Sequence, residues 1–293
     1  MSQNHLNPHT NNGMAQYDAH GIWMPELSMG EFRELTELLG LHLGFRFPDS
    51  KQKLVAARLA SRLRDLGLVS YHDYWLLLRR PEEKTELQRA IDLVTTNETS
   101  FFREPSHFDF LRDELIPPLA KQGRPVRIWS AACSTGQEPY SIAMTLAESL
   151  GMHADWQVLA TDISERVLAH ARHGLYAMHD ADQISLELLK KYCLKGNGEY
   201  EGQFLIERAL RNRVRFSQVN LMNAFDPELA HFDGVFLRNV MIYLESDRRD
   251  EMIERLKDRI NPGGYLIVGQ AESMAIKTSG FTLVQPSIYR RNS

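Results

Sequence analysis

From Ser28 onward the apolar positions Phe32, Leu35, Leu38, Leu39 and Leu43 recur at three- and four-residue steps. That period lines one face of a helix, and Ser28 followed by Glu31 predicts a capping box at its start. Pro48-Asp49-Ser50 opens a second helical run, with Leu54, Leu59, Leu63 and Leu66 on one side and Gly67 as its stop. A third helix is predicted at about 71–79, ending before Pro81, and a fourth at about 82–94. Together they predict a small all-α domain over 28–95.

Beyond Phe102 the texture changes to short β-rich runs alternating with amphipathic helices. Runs at 126–130, 158–161, 214–219, 233–237 and 265–268 read as strands, while 138–150, 165–172 and 248–260 read as helices. Such alternation predicts an α/β fold, a Rossmann-like parallel sheet wrapped by helices, over 96–293. Glycine turns between short runs predict a small antiparallel β subdomain at about 190–218. Residues 1–27 have no sustained hydrophobic period at their start and are expected to be a disordered leader.

Composition changes this picture little. Among 293 residues, 43% are hydrophobic and 25% charged, ordinary values for a globular chain. Two cysteines, Cys133 and Cys193, make no disulfide framework, and no Cys/His spacing suggests a metal. No apolar run reaches membrane-spanning length, so a cytoplasmic protein is expected, with no direct membrane insertion. A net charge of −4 argues against nucleic acid as a partner, because phosphate backbones are held by cations.

Candidate chemistry begins at Trp129–Ser141, WSAACSTGQEPYS. A strand ends near Ala131, the small residues Ala132, Ser134 and Gly136 make the turn, and Pro139 sits in the first turn of the following helix. Small residues let a flat ligand approach the backbone closely. A second apolar strand ends in Asp162, 26 residues after Gly136, where an acid can accept from both hydroxyls of a ribose. Asp162 can equally cap the next helix, and the ribose can belong to a nicotinamide dinucleotide or to S-adenosylmethionine. The turn lacks the second glycine that admits a pyrophosphate, which favours the methyl donor.

The ordered segments TTNETSFFRE (95–104), WSAACSTGQEPYS (129–141), ATDIS (160–164), RNVMIY (238–243) and GQAES (269–273) resemble the CheR family, methyltransferases of chemoreceptor glutamates. The similarity runs from about Ser28 to the C-terminus. It implies a helical N-terminal domain and a methyltransferase domain carrying a three-stranded β subdomain. It also implies S-adenosylmethionine as cofactor, with S-adenosylhomocysteine as product and no metal. Carried onto this chain, the cofactor contacts are Asn97, Thr99, Arg103, Ala132, Glu138, Asp162, Asn220, Leu221, Arg238 and Asn239. Two positions depart from the family: Ala132 stands where many members have glycine, and Gln137 where the first of two glutamates is usual.

A glutamate nucleophile is already ionised at neutral pH, so no general base is required. Arg103 is the candidate aligning group, since guanidinium binds carboxylate with two parallel bonds. Tyr243 is the second candidate in the methyl-transfer pocket. Toward partners, residues 46–80 carry eight Lys/Arg against three Asp/Glu. Arg58, Arg62 and Arg64 lie on the second helix, which the family resemblance sets against the acidic methylation helices in the cytoplasmic domain of a bacterial chemoreceptor. The stretch GNGEYEG, with Gly196, Gly198 and Gly202, resembles the β loop of members that dock a receptor's C-terminal pentapeptide. Such docking implies recruitment to membrane-associated receptor arrays.

Overall fold

In the computed structural model, which describes residues 16–17, 23–226, 229, 231–276 and 280–292, the chain divides into two compact units. The first comprises 1–41 and 47–94, and the second 42–46 and 95–293. The second unit thus takes residues 42–46 from between the first two helices.

Ahead of the helices, in the stretch expected to lack structure, β1 (Gln16–Tyr17) pairs antiparallel with β2 (Trp23–Met24). Residues 1–15 and 18–22 lie outside the described residues. The first unit then follows as α1 (Met29–Leu43), α2 (Gln52–Asp65), α3 (Tyr71–Leu78) and α4 (Lys84–Val94). The capping box forms: the Glu31 amide donates to Ser28 Oγ at 3.2 Å, and the Ser28 amide donates to Glu31 Oε2 at 2.9 Å. Phe32, Leu35 and Leu39 of α1, Val55, Leu59 and Leu63 of α2, and Tyr71 and Tyr74 of α3 are buried. On α2 the buried stripe starts at Val55, because Val55, Leu59 and Leu63 are four residues apart, whereas Leu54 is displaced to the surface.

The second unit opens with helical elements the strand–helix pattern did not reveal: α5 (Ser106–Phe110), a π-turn at Leu111–Leu115 and α6 (Ile116–Lys121). Pro117-Pro118 and the lengths of five or six residues hide their period. The α/β region continues as β3 (Val126–Ser130), α7 (Gln137–Leu150), β4 (Trp156–Asp162), α8 (Glu165–His173), β5 (Leu175–Ala177), α9 (Leu186–Tyr192), β6 (Cys193–Lys195), β7 (Gln203–Ile206), α10 (Arg208–Arg211) and β8 (Val214–Gln218). It closes with β9 (Phe232–Leu237), α11 (Ser246–Lys257), β10 (Ile260–Val268), β11 (Phe281–Gln285) and β12 (Ile288–Arg291).

The main sheet has the order β11-β12-β10-β9-β3-β4-β8. Its β8-β4-β3-β9-β10 part is parallel, and β12 and β11 add antiparallel at one edge. Neighbouring residues on each central strand face opposite sides. Ile128, Phe236 and Ile267 enter one core, with α7 residues such as Ile142 and Met144. Trp129, Val235 and Leu266 enter the other, with Met252, Ile253 and Leu256 of α11. Near-continuous apolar strands are what a sheet covered on both faces requires.

The small sheet has the order β5-β7-β6, all antiparallel. Its strands lie between 175 and 206, earlier than the 190–218 expected from the glycine turns. Val214–Gln218 instead pairs parallel with β4 in the main sheet, and Leu175–Ala177 supplies the third strand of the insertion. The correction has a simple cause: a three-residue strand directly after a helix carries too little alternation to be read.

Candidate active site

Starting from β3, the chain moves outward to β4 and β8, then returns to the other side of β3 through β9 and β10. That reversal leaves a crevice beyond the carboxyl ends of β3 and β9, the position where doubly wound sheets bind ligands. Asp162 ends β4, and the loops leaving β3, β8, β9 and β10 carry Ala132, Asn220, Asn239 and Gly269 respectively, so five separate segments meet at one edge of the sheet.

The first wall is the β3–α7 turn. Ser134 adopts φ 49° and Gly136 φ 100°, and the Ser134 amide donates to Asp162 Oδ2 at 2.9 Å. The Ser164 amide donates to Asp162 Oδ1 at 3.0 Å, so the acid braces the bend into α8, whose cap is Ser164, and ties β4 to the turn. Ser134 Oγ donates to the carbonyl of Asn97 at 2.9 Å, drawing the TTNETSFFRE segment over the turn. The glycine at 136 is obligatory by packing as well as by φ. A Cβ there would stand 2.7 Å from the Tyr176 hydroxyl and 2.8 Å from Ala171 Cβ. Tyr176 in turn donates to the Thr135 carbonyl at 2.7 Å, and packs with Phe101 and Phe204 at centroid distances of 5.0 and 5.7 Å. The small sheet therefore buttresses the turn. Gln137, the departure from the family pattern, is buried and accepts from Thr135 Oγ1 at 2.8 Å, which keeps a local contact without a charge.

The second wall is a buried ion-pair network at β9. Glu138 Oε1 accepts from Ser130 Oγ at 2.6 Å, and Glu138 Oε2 accepts from Arg238 Nη1 at 3.0 Å. Arg238 Nη2 lies 3.2 Å from Glu104 Oε2 and donates to the Arg103 carbonyl. The Arg238 guanidinium is thus engaged by the protein itself. Asn239 stands at φ 59°, a conformation that costs a bulky residue on the order of 1 kcal/mol or more and that asparagine tolerates better. Its amide donates to Glu272 Oε2 at 2.7 Å, the Gly269 amide to the same oxygen at 2.9 Å, and the Ile242 amide to Glu272 Oε1 at 3.2 Å. Glu272 is 2% exposed and holds the loops after β9 and β10 together. The sequence pattern assigns it no role, although it lies in the GQAES segment; two of its three partners, Asn239 and Ile242, sit 33 and 30 residues upstream and leave no spacing signal.

The remaining predicted residues are distributed as follows. The Arg103 guanidinium donates to the Glu98 carbonyl at 3.1 Å and lines a cavity of about 580 Å³ with Phe102, Pro105, Phe108 and Leu188. Thr99 is half-buried. Asn220 spends its side chain on the backbone, donating to the His42 carbonyl at 2.7 Å and accepting from the Met222 amide at 2.9 Å, and the Leu221 carbonyl accepts from Arg255 at 3.2 Å. Tyr243 is 41% exposed, with its ring 5.8 Å from that of Phe45.

Two of the three arginines on α2 are structural. Arg62 makes a two-pronged pair with Glu86 at 2.8 and 2.6 Å, and the Tyr74 hydroxyl donates to Glu86 Oε1 at 2.8 Å. Burial pushes the Glu86 carboxyl up, but the bonds from Arg62 and Tyr74 outweigh it and hold the group below its ordinary value. Arg58 donates to the Val94 carbonyl at 2.8 Å. Arg64 is exposed. In the small sheet, Gly196 has no room for a side chain, since a Cβ would meet the Tyr200 carbonyl at 2.0 Å, and Gly198 and Gly202 adopt φ 58° and 78°. No group of three or more His, Cys, Asp or Glu able to hold a metal occurs among the described residues, and no described helix is long and apolar enough to cross a membrane.

An acid at the end of β4 beside a small-residue turn suits the ribose of an adenosyl ligand, and the turn lacks the second glycine that admits a pyrophosphate. S-adenosylmethionine fits that description. The class defined here is that of Rossmann-like methyltransferases, and comparison with known proteins makes it specific. Residues 97–289 match the SAM-binding domain of CheR methyltransferases, and residues 30–95 match their all-alpha domain. The chain is 37% identical over 264 residues to the chemotaxis protein methyltransferase of Salmonella typhimurium, covering 90% of each. It is equally 37% identical over 264 residues to that of Escherichia coli, covering 90% of this chain and 91% of the relative. Chemotaxis protein methyltransferase 2 of Pseudomonas aeruginosa is 37% identical over 263 residues, covering 88% and 93%. The chain belongs to the CheR methyltransferase family.

Proposed function

We propose that this enzyme transfers the methyl group of S-adenosylmethionine to glutamate side chains in the cytoplasmic domain of bacterial chemoreceptors, forming methyl esters during chemotactic adaptation. The observation that carries the reading is the Asp162–Ser134 contact at the β3 and β4 ends, which presents an acid to a ribose beside a small-residue turn. The cofactor supplies an electrophilic methyl group on a sulfonium. Asp162, Ala132 and the segment from Asn97 to Arg103 would hold it, with Asn220, Leu221 and Asn239 contributing mainly through backbone, because the Asn220 side chain is already committed. Glu138 and Arg238 act as the scaffold of the same edge.

The substrate carboxylate forms the new O–C bond as the C–S bond breaks, and no proton moves. Negative and positive charge are lost together, so a dry site favours the step. The protein's task is alignment, which can supply roughly 7–11 kcal/mol in favourable cases. Arg103 would orient the carboxylate, and Tyr243, exposed at the loop after β9, would flank it. Arg64 is the α2 arginine best placed to meet an acidic receptor helix, while Arg58 and Arg62 support the helix that presents it. The β6–β7 hairpin, whose glycines fix a tight turn, would dock the receptor's C-terminal pentapeptide by strand addition. That tether would raise the local concentration of methylation sites at the receptor array.

Incubation with radiolabelled S-adenosylmethionine and a soluble receptor cytoplasmic fragment tests the reading. Base-labile label on glutamate is expected. Cofactor binding without incorporation into protein would sink it. Titration of a fluorescent receptor C-terminal pentapeptide tests the docking separately, with loss of binding expected in Gly196→Val.

A further inference from the structure

Arg103 is flanked on both sides by residues in the left-handed region: Phe102 at φ 50° and Glu104 at φ 58°. Neither is glycine, asparagine or aspartate, so the backbone is strained on both sides of the residue that aligns the substrate. Strain of this kind persists only where surrounding contacts over-determine it. Here they do. The Phe102 amide donates to Ser141 Oγ at 2.9 Å, and the Arg103 carbonyl accepts from Arg238 Nη2.

Glu104 carries the largest share of the anchoring. Its Oε1 accepts from the Gln270 amide at 3.3 Å, and its Oε2 lies 3.2 Å from Arg238 Nη2 and 3.3 Å from His107 Nδ1. His107 is 1% exposed, and its other ring nitrogen lies 2.7 Å from Ser287 Oγ. Ser287 occupies the β11–β12 turn at φ 63°, and its amide donates to Ser273 Oγ at 3.0 Å. Close polar contacts therefore lead from the C-terminal hairpin toward the Arg103 backbone, with one step, Glu104 Oε2 facing His107 Nδ1, made by proximity and not by a hydrogen bond. His107 and Glu104 are the middle members, and neither belongs to the cofactor or substrate contacts assigned above.

We propose that Glu104 and His107 are positioning residues for methyl transfer, holding the Arg103 backbone and the Arg238 guanidinium in a strained arrangement that aims Arg103 at the substrate carboxylate. The inference rests on the role given to Arg103 under Proposed function. It assigns to the hairpin, remote in sequence, a part in turnover, and to the left-handed Phe102 and Glu104 a reason to be tolerated. Burial first, and then the nearby Arg238 charge, push the His107 imidazole down to about 4, so the ring is neutral at working pH and acts as a packed spacer, held at Nε2 by Ser287 and set against the Glu104 carboxylate.

The test uses the full-length enzyme, a receptor cytoplasmic fragment, and the variants Glu104→Gln, His107→Gln, His107→Phe and Arg103→Lys. Steady-state kcat and KM for the fragment are measured beside S-adenosylhomocysteine binding by calorimetry and the thermal midpoint. Glu104→Gln and His107→Phe are expected to lower kcat roughly tenfold, with KM and the S-adenosylhomocysteine Kd each within about threefold of the parent. His107→Gln, which keeps a hydrogen-bonding group, should recover most of the loss. In the Arg103→Lys background the added effect of Glu104→Gln should shrink to about twofold or less, because both act on one element. Unchanged kcat in folded Glu104→Gln and His107→Phe, with Arg103→Lys impaired, overturns the inference and leaves the role of Arg103 standing. Full additivity with Arg103→Lys, or a kcat loss that Gln does not rescue, also overturns it. Wild-type turnover in Arg103→Lys overturns the role of Arg103 itself, and the inference with it.

Discussion

Arg238 Nη1 lies 3.0 Å from Glu138 Oε2, and the two side chains are only 3% and 10% exposed. One comes from the end of β9 and the other from the first turn of α7, so the pair joins the two sides of the crevice where the strand order reverses. A carboxylate in the first turn of a helix is also favoured by the helix dipole. The pair is thus part of the frame of the site, and the frame stands on both charges.

Removing one partner from such a buried pair leaves the other unsatisfied. Glu138→Ala is therefore expected to cost about 3 kcal/mol of unfolding free energy, and to weaken S-adenosylhomocysteine binding as the turn loosens. Arg103→Ala should abolish methyl transfer while leaving stability nearly unchanged. Urea unfolding of the two variants beside the parent checks the contrast. Equal stability losses would contradict the division between frame and reactive group.

Asp162 is a sharper probe of the cofactor reading. Its two oxygens accept the Ser134 and Ser164 amides at 2.9 and 3.0 Å. In Asp162→Asn one carboxylate oxygen becomes an NH2 donor facing a backbone donor, which costs about 1–3 kcal/mol. S-adenosylhomocysteine affinity should fall at least about tenfold, since a ribose acceptor is lost with it. Calorimetry gives the affinity directly. An unchanged Kd would mean that Asp162 only braces the turn and the bend into α8.

Gly136→Ala tests how the small sheet supports the turn. At φ 100° an added methyl is strained, and it would also press on the Tyr176 hydroxyl and Ala171 Cβ. Overpacking of this type costs roughly 1–3 kcal/mol, so a lowered melting temperature and weaker cofactor binding are expected together. Pairing the change with Tyr176→Phe, which deletes the hydroxyl, should return part of both. Absence of any rescue would show that the φ strain alone decides the effect.

How much of this was written in the chain depends on the sequence distance between partners. Helical period gave α1–α4, and apolar runs ending in small or acidic residues gave β3, β4 and the acid at the end of β4. Residues tied to remote partners were not readable in that way. Glu272 meets the amides of Asn239 and Ile242, and Tyr176 reaches Thr135, across 30 to 41 positions. The helix at 106–121 carries two prolines and a π-turn, which break the period that would announce it. Charge counting marked Arg58, Arg62 and Arg64 as one patch. It could not register that Glu86, on another helix, already holds Arg62.

That last point separates the arginines experimentally. Arg64→Glu should leave the unfolding curve unchanged and slow receptor methylation at low salt, with the difference shrinking as ionic strength rises. Glu86→Gln should instead destabilise the helical domain by about 2–3 kcal/mol at pH 7, somewhat less than a wholly buried pair because Arg62 keeps 18% exposure. The pH dependence follows from the lowered carboxyl. Below its ordinary value of 4.5 the unfolded chain takes up a proton that folded Glu86 resists, so the stabilisation is complete above that range and fades as pH falls through the folded value. Urea unfolding of parent and Glu86→Gln at pH 7 and at successive steps below pH 4.5 should therefore converge toward acid. A gap of constant size across that range would mean that Glu86 contributes packing and not charge.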